Sequence, residues 1–425
     1  MKFKRIIIMT ICFAFFICSG CSIIKKPIQN SNPDGNNDSS INNNTSNTTP
    51  SNEAVENNTS DSIEEQISKM SLSEKVGQLV IAGIDGYTND EHSSQLIEKY
   101  KVGGFILLGQ NIKDTNQALA LINSLKSSNS KNKIPLFLGI DEEGGGITRM
   151  PAEFSKLPTN KAIGQKNNSN LSYNIGGILG EELMAFGLNL DFAPVLDINS
   201  NPKNPIIGDR AFGSNVNIVS TLGISTMKGI QGKNIASAVK HFPGHGDTSV
   251  DSHIGLPIVN NDLNRLKNFE LLPFSSAVKN GADMVMVAHI LLPKIDKDNP
   301  ASFSKTVITD VLRNYLNYRG VVITDDMTMG AIVKNYNIGE AAVKSLMAGT
   351  DIILVCHDFD KETAVIDAIT KAVENKVISE KSIDEKLTRV LKLKRKYNMN
   401  NDKVSSVDVK GINKNIDNLL KANFK

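Results

Sequence analysis

The sequence predicts an α/β chain built on a (β/α)8 TIM-like barrel with a single catalytic domain. Three observations carry this: eight short apolar runs, helical patterns between most neighbouring runs, and polar groups gathered at the ends of the runs. The runs are QLVIAGI (78–84), GGFILLG (103–109), PLFLGID (135–141), LNLDFAPVLD (188–197), IASAVKH (235–241), DMVMVAH (283–289), GVVITDD (320–326) and DIILVCH (351–357). Runs that are apolar throughout, rather than alternating, are those of parallel strands buried on both faces.

Between them, TNQALALINSLKSS and NIGGILGEELMAFG have helical spacing, and Ser71-Leu-Ser-Glu74 ahead of the first run reads as a capping box. Two joins resemble each other: NGADMVMVAH and AGTDIILVCH each place a helix-ending Gly, an Asp, an apolar run and a His in the same order. An open doubly wound sheet is the alternative closure. It is weakened by the lack of a glycine-rich dinucleotide fingerprint after the first run, since DEEGGG at 141–146 has the wrong position and spacing.

Composition divides the 425 residues further. Lys2, Lys4 and Arg5 precede IIIMTICFAFFIC, which is followed by Ser19, Gly20 and Cys21. This is a secretory leader, too short for a comfortable membrane span. Residues 1–21 are read as a lipoprotein-type signal ending at Cys21, with Cys21 as the lipidated residue. Cys18 stands where that motif usually has Leu. Residues 22–60 are rich in Asn, Ser and Thr and poor in large apolar side chains, so they cannot offset the entropy of ordering and are expected to form a disordered tether. The barrel is assigned to 61–400 and a helical extension to 401–425. The expected location is outside the cytoplasm, lipid-anchored to the membrane. Only Cys356 lies within the body, which excludes an internal disulfide, and a net charge of +2 argues against a nucleic-acid partner.

In a barrel of parallel strands chemistry collects at the C-terminal strand ends. Here those ends carry Asp141, Asp197, Lys240-His241, His289, Asp325-Asp326 and His357. Three of the six histidines fall in KHFPGHGDTSVDSHIGLP (240–257). A metal centre is disfavoured because the early strands carry no histidine and Pro243-Gly244 forbid a helix that would align His241 with His245. No G-x-S-x-G elbow is present for a serine hydrolase. Glycoside chemistry, which needs a carboxylate and a proton donor about the glycosidic oxygen, remains.

In this order, MSLSEKVGQL, IDEEGGGITRM, FAPVLDI, KHFPGHGDTSVDSH and VVITDDMTM resemble glycoside hydrolase family 3, and within it the bacterial β-N-acetylhexosaminidases of the NagZ type. The resemblance runs from about 62 to 358 and implies a single-domain member. It implies that Asp325 of Thr324-Asp325-Asp326 is the nucleophile and that Asp251 and His253 form the acid/base pair. Two residues apart on an extended loop, those two side chains can meet, fixing the imidazole tautomer. The resemblance further implies Asp141, Arg149, Arg210, Lys240 and His241 as substrate-binding residues, with Gly144–Gly146 letting backbone approach the sugar and His245 as a structural hydrogen-bonder. Family members often have Arg where this chain has Gly146.

The implied activity is retaining exo-β-N-acetylglucosaminidase, with no metal and no cofactor. The implied partner is carbohydrate, N-acetylglucosamine-terminated glycans or muropeptides from peptidoglycan. Two readings on the same fold are a β-N-acetylglucosaminide phosphorylase, because a neutral imidazole would admit phosphate, and a β-glucosidase. A third reading is a non-catalytic sugar-binding lipoprotein.

Overall fold

The computed structural model describes residues 62–249, 251–253 and 255–424. The expected leader, Cys21 and the expected tether lie outside the described residues. The described residues form one unit.

Each apolar run contains a strand: β1 Val80–Ala82, β2 Gly104–Leu107, β3 Phe137–Ile140, β4 Leu190–Asp191, β5 Ala236–Phe242, β6 Met284–Val287, β7 Val321–Thr324 and β8 Ile353–Val355. All are parallel, in the order β7-β6-β5-β4-β3-β2-β1-β8. The ends meet through a parallel bridge between Ile323 and Ile352, where Thr324 N–H donates to the Ile352 carbonyl at 3.1 Å. This closes the barrel and removes its edges.

β4 is the shortest strand. Pro194 cannot donate to a ladder, so the run LNLDFAPVLD pairs only at its start and resumes as an isolated bridge, Val195 with Lys240. β5 is the longest, and its register against β6 shifts between Val239 and Phe242. The peptides Lys240–His241 and Phe242–Pro243 are cis.

The interleaved helices have local causes. Helix Leu72–Gly77 starts at the capping box, with Glu74 accepting from Ser71 N–H at 2.8 Å. Helix Thr115–Ser128 is capped by Asp114, and helix Ser169–Phe186 begins at Asn168 and stops at Gly187, whose φ of 74° is left-handed.

Helix Glu380–Lys396 covers the N-terminal end of the barrel. Lys394 is buried there and donates to Gln78 Oε1 (2.9 Å) and to the carbonyls of Gly103 and Pro135 (both 2.7 Å). Arg389 and Arg313 both pair with the buried carboxylate of Asp351, and Lys396 pairs with Asp283. The lower mouth is thereby sealed, which leaves the opposite end for chemistry. Helix Val409–Asn423 buries Ile412 and Ile416, and Asn415 donates to Glu181 of the 169–186 helix at 2.9 Å. No helix among the described residues is long and apolar enough to cross a membrane.

Candidate active site

A cavity of about 390 Å³ opens at the C-terminal ends of the strands. Asp141, Arg149, Arg210, Lys240, His241, His253 and Asp325 all line it. Asp251 does not, but it holds His253, accepting at 2.8 Å both from the His253 backbone N–H and at ring Nδ1. Each catalytic or substrate-binding side chain that the resemblance implies within the described residues thus lines this cavity or is bonded to one that does. Cys21 lies outside the described residues.

The floor belongs to the strands. Asp325 follows β7, and its N–H donates to the Val287 carbonyl of β6 at 2.9 Å. Burial pushes its carboxyl pKa up, but the neighbouring His241, His289, Asp326 N–H and Lys240 outweigh burial, and the net direction is down. Asp325 is therefore a carboxylate at neutral pH. Its neighbour Asp326 also borders the cavity, yet its oxygens are taken by Thr328 (N–H 2.9 Å, Oγ1 2.6 Å) and Cys356 N–H (2.9 Å). One carboxylate of the pair is available and the other ties loops together.

Beside Asp325 lies an ion network. Lys240 Nζ is 2.6 Å from Asp141 and 2.7 Å from Glu143, and Arg210 grips Glu143 with two nitrogens at 2.7 and 2.9 Å. Burial acts against the Glu143 carboxylate, but Lys240 and Arg210 outweigh it and hold its pKa far below the usual range. His241 Nδ1 is 2.6 Å from Asp197, whose other oxygen accepts the His245 N–H at 2.6 Å. Adjacent strand residues normally face opposite ways. Lys240 and His241 both reach the cavity because the irregular end of β5 breaks that alternation.

Sequence reasoning passes over Glu143, the hub that orients both Lys240 and Arg210. The signal is an acidic residue directly after Asp141 and Glu142, with no apolar alternation to say which of the three points inward. His289 does not line the cavity; it is buried beneath, with Nδ1 2.7 Å from Ser302 Oγ and Nε2 3.0 Å from the Asp326 carbonyl, bracing the end of β7.

The glycine run corrects an expectation. None of Gly144, Gly145 and Gly146 lines the cavity. Gly144 and Gly145 instead have φ of 77° and 60° in a tight turn closed by Glu143 N–H to Ile147 O (2.9 Å). A Cβ on Gly145 would come within 2.7 Å of Thr159 Cγ2. The turn sends the chain back so that Arg149 faces the site. Its N–H is fixed by buried Glu142 at 2.7 Å, while Arg149 Nε has no partner in the protein. Burial pushes the Glu142 pKa up to about 7 against its hydrogen bonds to Arg149, Thr148 and Met150. His245 also lines the cavity; Nδ1 is 2.9 Å from Thr248 Oγ1, but buried Nε2 has no protein partner.

The loop after β5 supplies the rest. Ser252 is buried, and its carbonyl accepts Ala331 N–H at 3.0 Å, which anchors the loop tip to the segment after β7. His253, by contrast, is 67% exposed. With its hydrogen bonds to His253 outweighing slight burial, the Asp251 carboxyl is held below its usual pKa. An ionised partner at Nδ1 keeps the proton there and presents Nε2. Among the described residues, the group of three side chains close enough to share a cation, Asp85, Asp90 and His92, does not line this cavity.

A polar cavity with an ionised strand-end carboxylate and an imidazole on its rim suits the splitting of a glycosidic bond. The comparisons agree on the class, a glycoside hydrolase. Residues 71–393 match the glycosyl hydrolase family 3 N terminal domain, and the chain belongs to that family. It is 36% identical over 327 residues to a beta-hexosaminidase A of Pseudoalteromonas piscicida, covering 71% of this chain and 55% of that one. A beta-hexosaminidase of Hydrogenovibrio crunogenus is 32% identical over 297 residues, 68% of this chain and 82% of the relative. Among solved structures, a glycoside hydrolase family 3 beta-N-acetylglucosaminidase from a Paenibacillus species superposes with a TM-score of 0.79 at 38% identity, over 83% of this chain and 69% of that one. The chain thus spans little more than half the length of the Pseudoalteromonas relative.

Proposed function

We propose that the protein removes β-linked N-acetylglucosamine from the non-reducing ends of glycans, with retention of configuration. The observation that carries this reading is an ionised Asp325 in the same cavity as an imidazole tied to Asp251. The names of the relatives support the sugar.

In this mechanism Asp325 attacks the anomeric carbon while protonated His253 gives its Nε2 proton to the departing glycosidic oxygen. The C–O bond to the leaving sugar breaks as the bond to the Asp325 oxygen forms. Neutral His253 then takes a proton from water, the water oxygen bonds to the anomeric carbon, and Asp325 is released. Asp251 retains its charge throughout and stabilises the imidazolium. Asp141 accepts from sugar hydroxyls, while Arg149, Arg210, Lys240 and His241 orient the ring and acetamido group. An exposed His253 must move inward as the sugar arrives, so closure of the loop after β5 belongs to the cycle.

We further propose that the protein acts outside the cytoplasm, anchored through Cys21, with N-acetylglucosamine–muramic acid fragments of peptidoglycan as the natural substrate. The leader and the polar segment 22–60 support the location. The test is proton NMR of the first sugar released from a chromogenic N-acetylglucosaminide, in phosphate and in a phosphate-free buffer. A β-anomer as the first product in both supports the reading. An α-anomer, or sugar phosphate in the phosphate buffer, would overturn hydrolysis with retention.

A further inference from the structure

The sealed end of the barrel carries a second feature, which the reaction does not use. Three clefts on this face border the helix Glu380–Lys396 or the strand ends that it covers. Lys101, Lys131 and Lys133 line the first, Lys133 and Arg395 the second, and Arg319 and Lys392 the third. All but half-buried Lys101 are exposed. The acidic side chains in these clefts are Glu74 and Glu385. Glu74 is already committed to the Ser71 N–H and hydroxyl, both at 2.8 Å. The whole chain has a formal charge of only +2, so this concentration is a polarity of the molecule and not a consequence of a basic composition. The opposite rim mixes both signs, Asp141, Glu143, Asp325 and Asp326 with Arg149, Arg210 and Lys240, and so is not basic in this way.

The same face is where the described chain begins. Ser62 caps helix Ile63–Ser68, which packs against helix Glu380–Lys396, and Gln66 accepts from Arg395 at 2.9 Å. Ser62, the first described residue, therefore stands on the same face as these lysines and arginines.

We infer that this basic end of the barrel is a docking surface for an anionic phospholipid bilayer, which turns the substrate cavity away from the membrane. The choice of partner rests on the proposed membrane-tethered location; the charge and its position do not. Lysines and arginines near an anionic bilayer each add attraction that salt screens within a Debye length. A tether alone would leave the body free to rotate. The basic face gives it a preferred orientation, with the cavity toward glycans above the membrane.

The experiment uses the full chain carrying Cys21→Ser, so that no acyl group contributes, and a second chain that also carries K131E, K133E and K392E. Each is sedimented with vesicles of phosphatidylcholine and of phosphatidylcholine mixed with phosphatidylglycerol. The apolar leader, with Lys2, Lys4 and Arg5, contributes equally to both chains, so the reading is how much larger the parent's gain on adding phosphatidylglycerol is than the variant's. The parent's gain should exceed the triple variant's by roughly a hundredfold in affinity, and high salt should remove that difference. Equal binding of the parent to both vesicles, or equal gains in the two chains, would overturn the surface. Both chains are also assayed on a chromogenic N-acetylglucosaminide, which should be cleaved equally because the substitutions lie at the other end of the barrel. Absence of cleavage in both would count against the hydrolase reading and leave the vesicle result readable.

Discussion

The two halves of the cavity are built differently. Asp325, Lys240 and His241 stand at strand ends and Glu143 at the turn after β3, each side chain or its backbone fixed by neighbours from other strands. Asp251 and His253 stand on a loop, and the hydrogen bonds that set the ring run only to each other. Side chains braced across strands hold a charge in place before substrate arrives. Beyond itself the pair is held through the backbone of Ser252 between them, whose carbonyl accepts Ala331 N–H, so any movement of that loop carries both side chains as one unit. The difference suits the division of labour: the nucleophile needs a fixed position, and the proton donor must let a sugar in and a product out.

The sharpest break in that comparison is at the strand side. Asp325→Asn keeps the shape and removes the nucleophile, so kcat/KM should fall about a thousandfold or more, ~4 kcal/mol of lost transition-state stabilisation. Thermal unfolding should be little changed. Turnover close to the parent's would transfer the role to Asp326, against its engagement by Thr328 and Cys356.

Glu143→Ala tests the brace itself. It strips a buried carboxylate from two cations, and losing one partner of such a group costs about 3–5 kcal/mol. The denaturant midpoint should drop accordingly and activity with it. Asp251→Ala should leave the midpoint within about 0.5 kcal/mol of the parent while activity falls. Equal midpoint losses in the two variants would mean that the loop pair is structural.

His253→Ala should slow substrates with poor leaving groups about a hundredfold. Activated aryl glycosides, which depart with little protonation, should be far less affected. The same loss on both classes would make His253 a binding residue.

Much of this was legible in the sequence because it depends on pattern. Eight apolar runs announce eight strands, and a polar residue ending each of several runs announces the rim. What pattern could not supply was direction. Alternation along a strand would turn only one of Lys240 and His241 to the cavity, so it is the resemblance and not the pattern that implies both, and the shifted register of β5 is what brings both there. In Asp141-Glu142-Glu143, nothing local distinguishes the residue that meets Lys240 and Arg210 from the one that pins the Arg149 turn. The glycines after them look like room for a ligand, yet Gly144 and Gly145 form a turn packed on Pro158 and Thr159. Charges meeting across strands are products of closure, visible only once the barrel exists.

The smallest expected effect separates the two halves by pH. Glu143 and Asp251 both have carboxyl pKa values below the ordinary range in the folded protein. For such a group the stabilisation is present above the unfolded pKa, near ~4 for a carboxyl, and is lost as pH falls through the folded value. Both should therefore contribute to acid sensitivity with the same sign, stability declining below about pH 4. The sizes differ because the surroundings do. Glu143 is 1% exposed and faces two cations, whereas Asp251 is 25% exposed and faces a ring that is itself in water. Solvent screening leaves an exposed pair a few tenths of a kcal/mol. Unfolding free energy measured from pH 2 to pH 6 should show a clearly flatter slope for Glu143→Ala than for the parent. Asp251→Ala should follow the parent curve almost throughout. A slope flattened as much by Asp251→Ala as by Glu143→Ala would show that the loop is held by charge in the resting protein, and a pair held so firmly could not be the part of the site that moves.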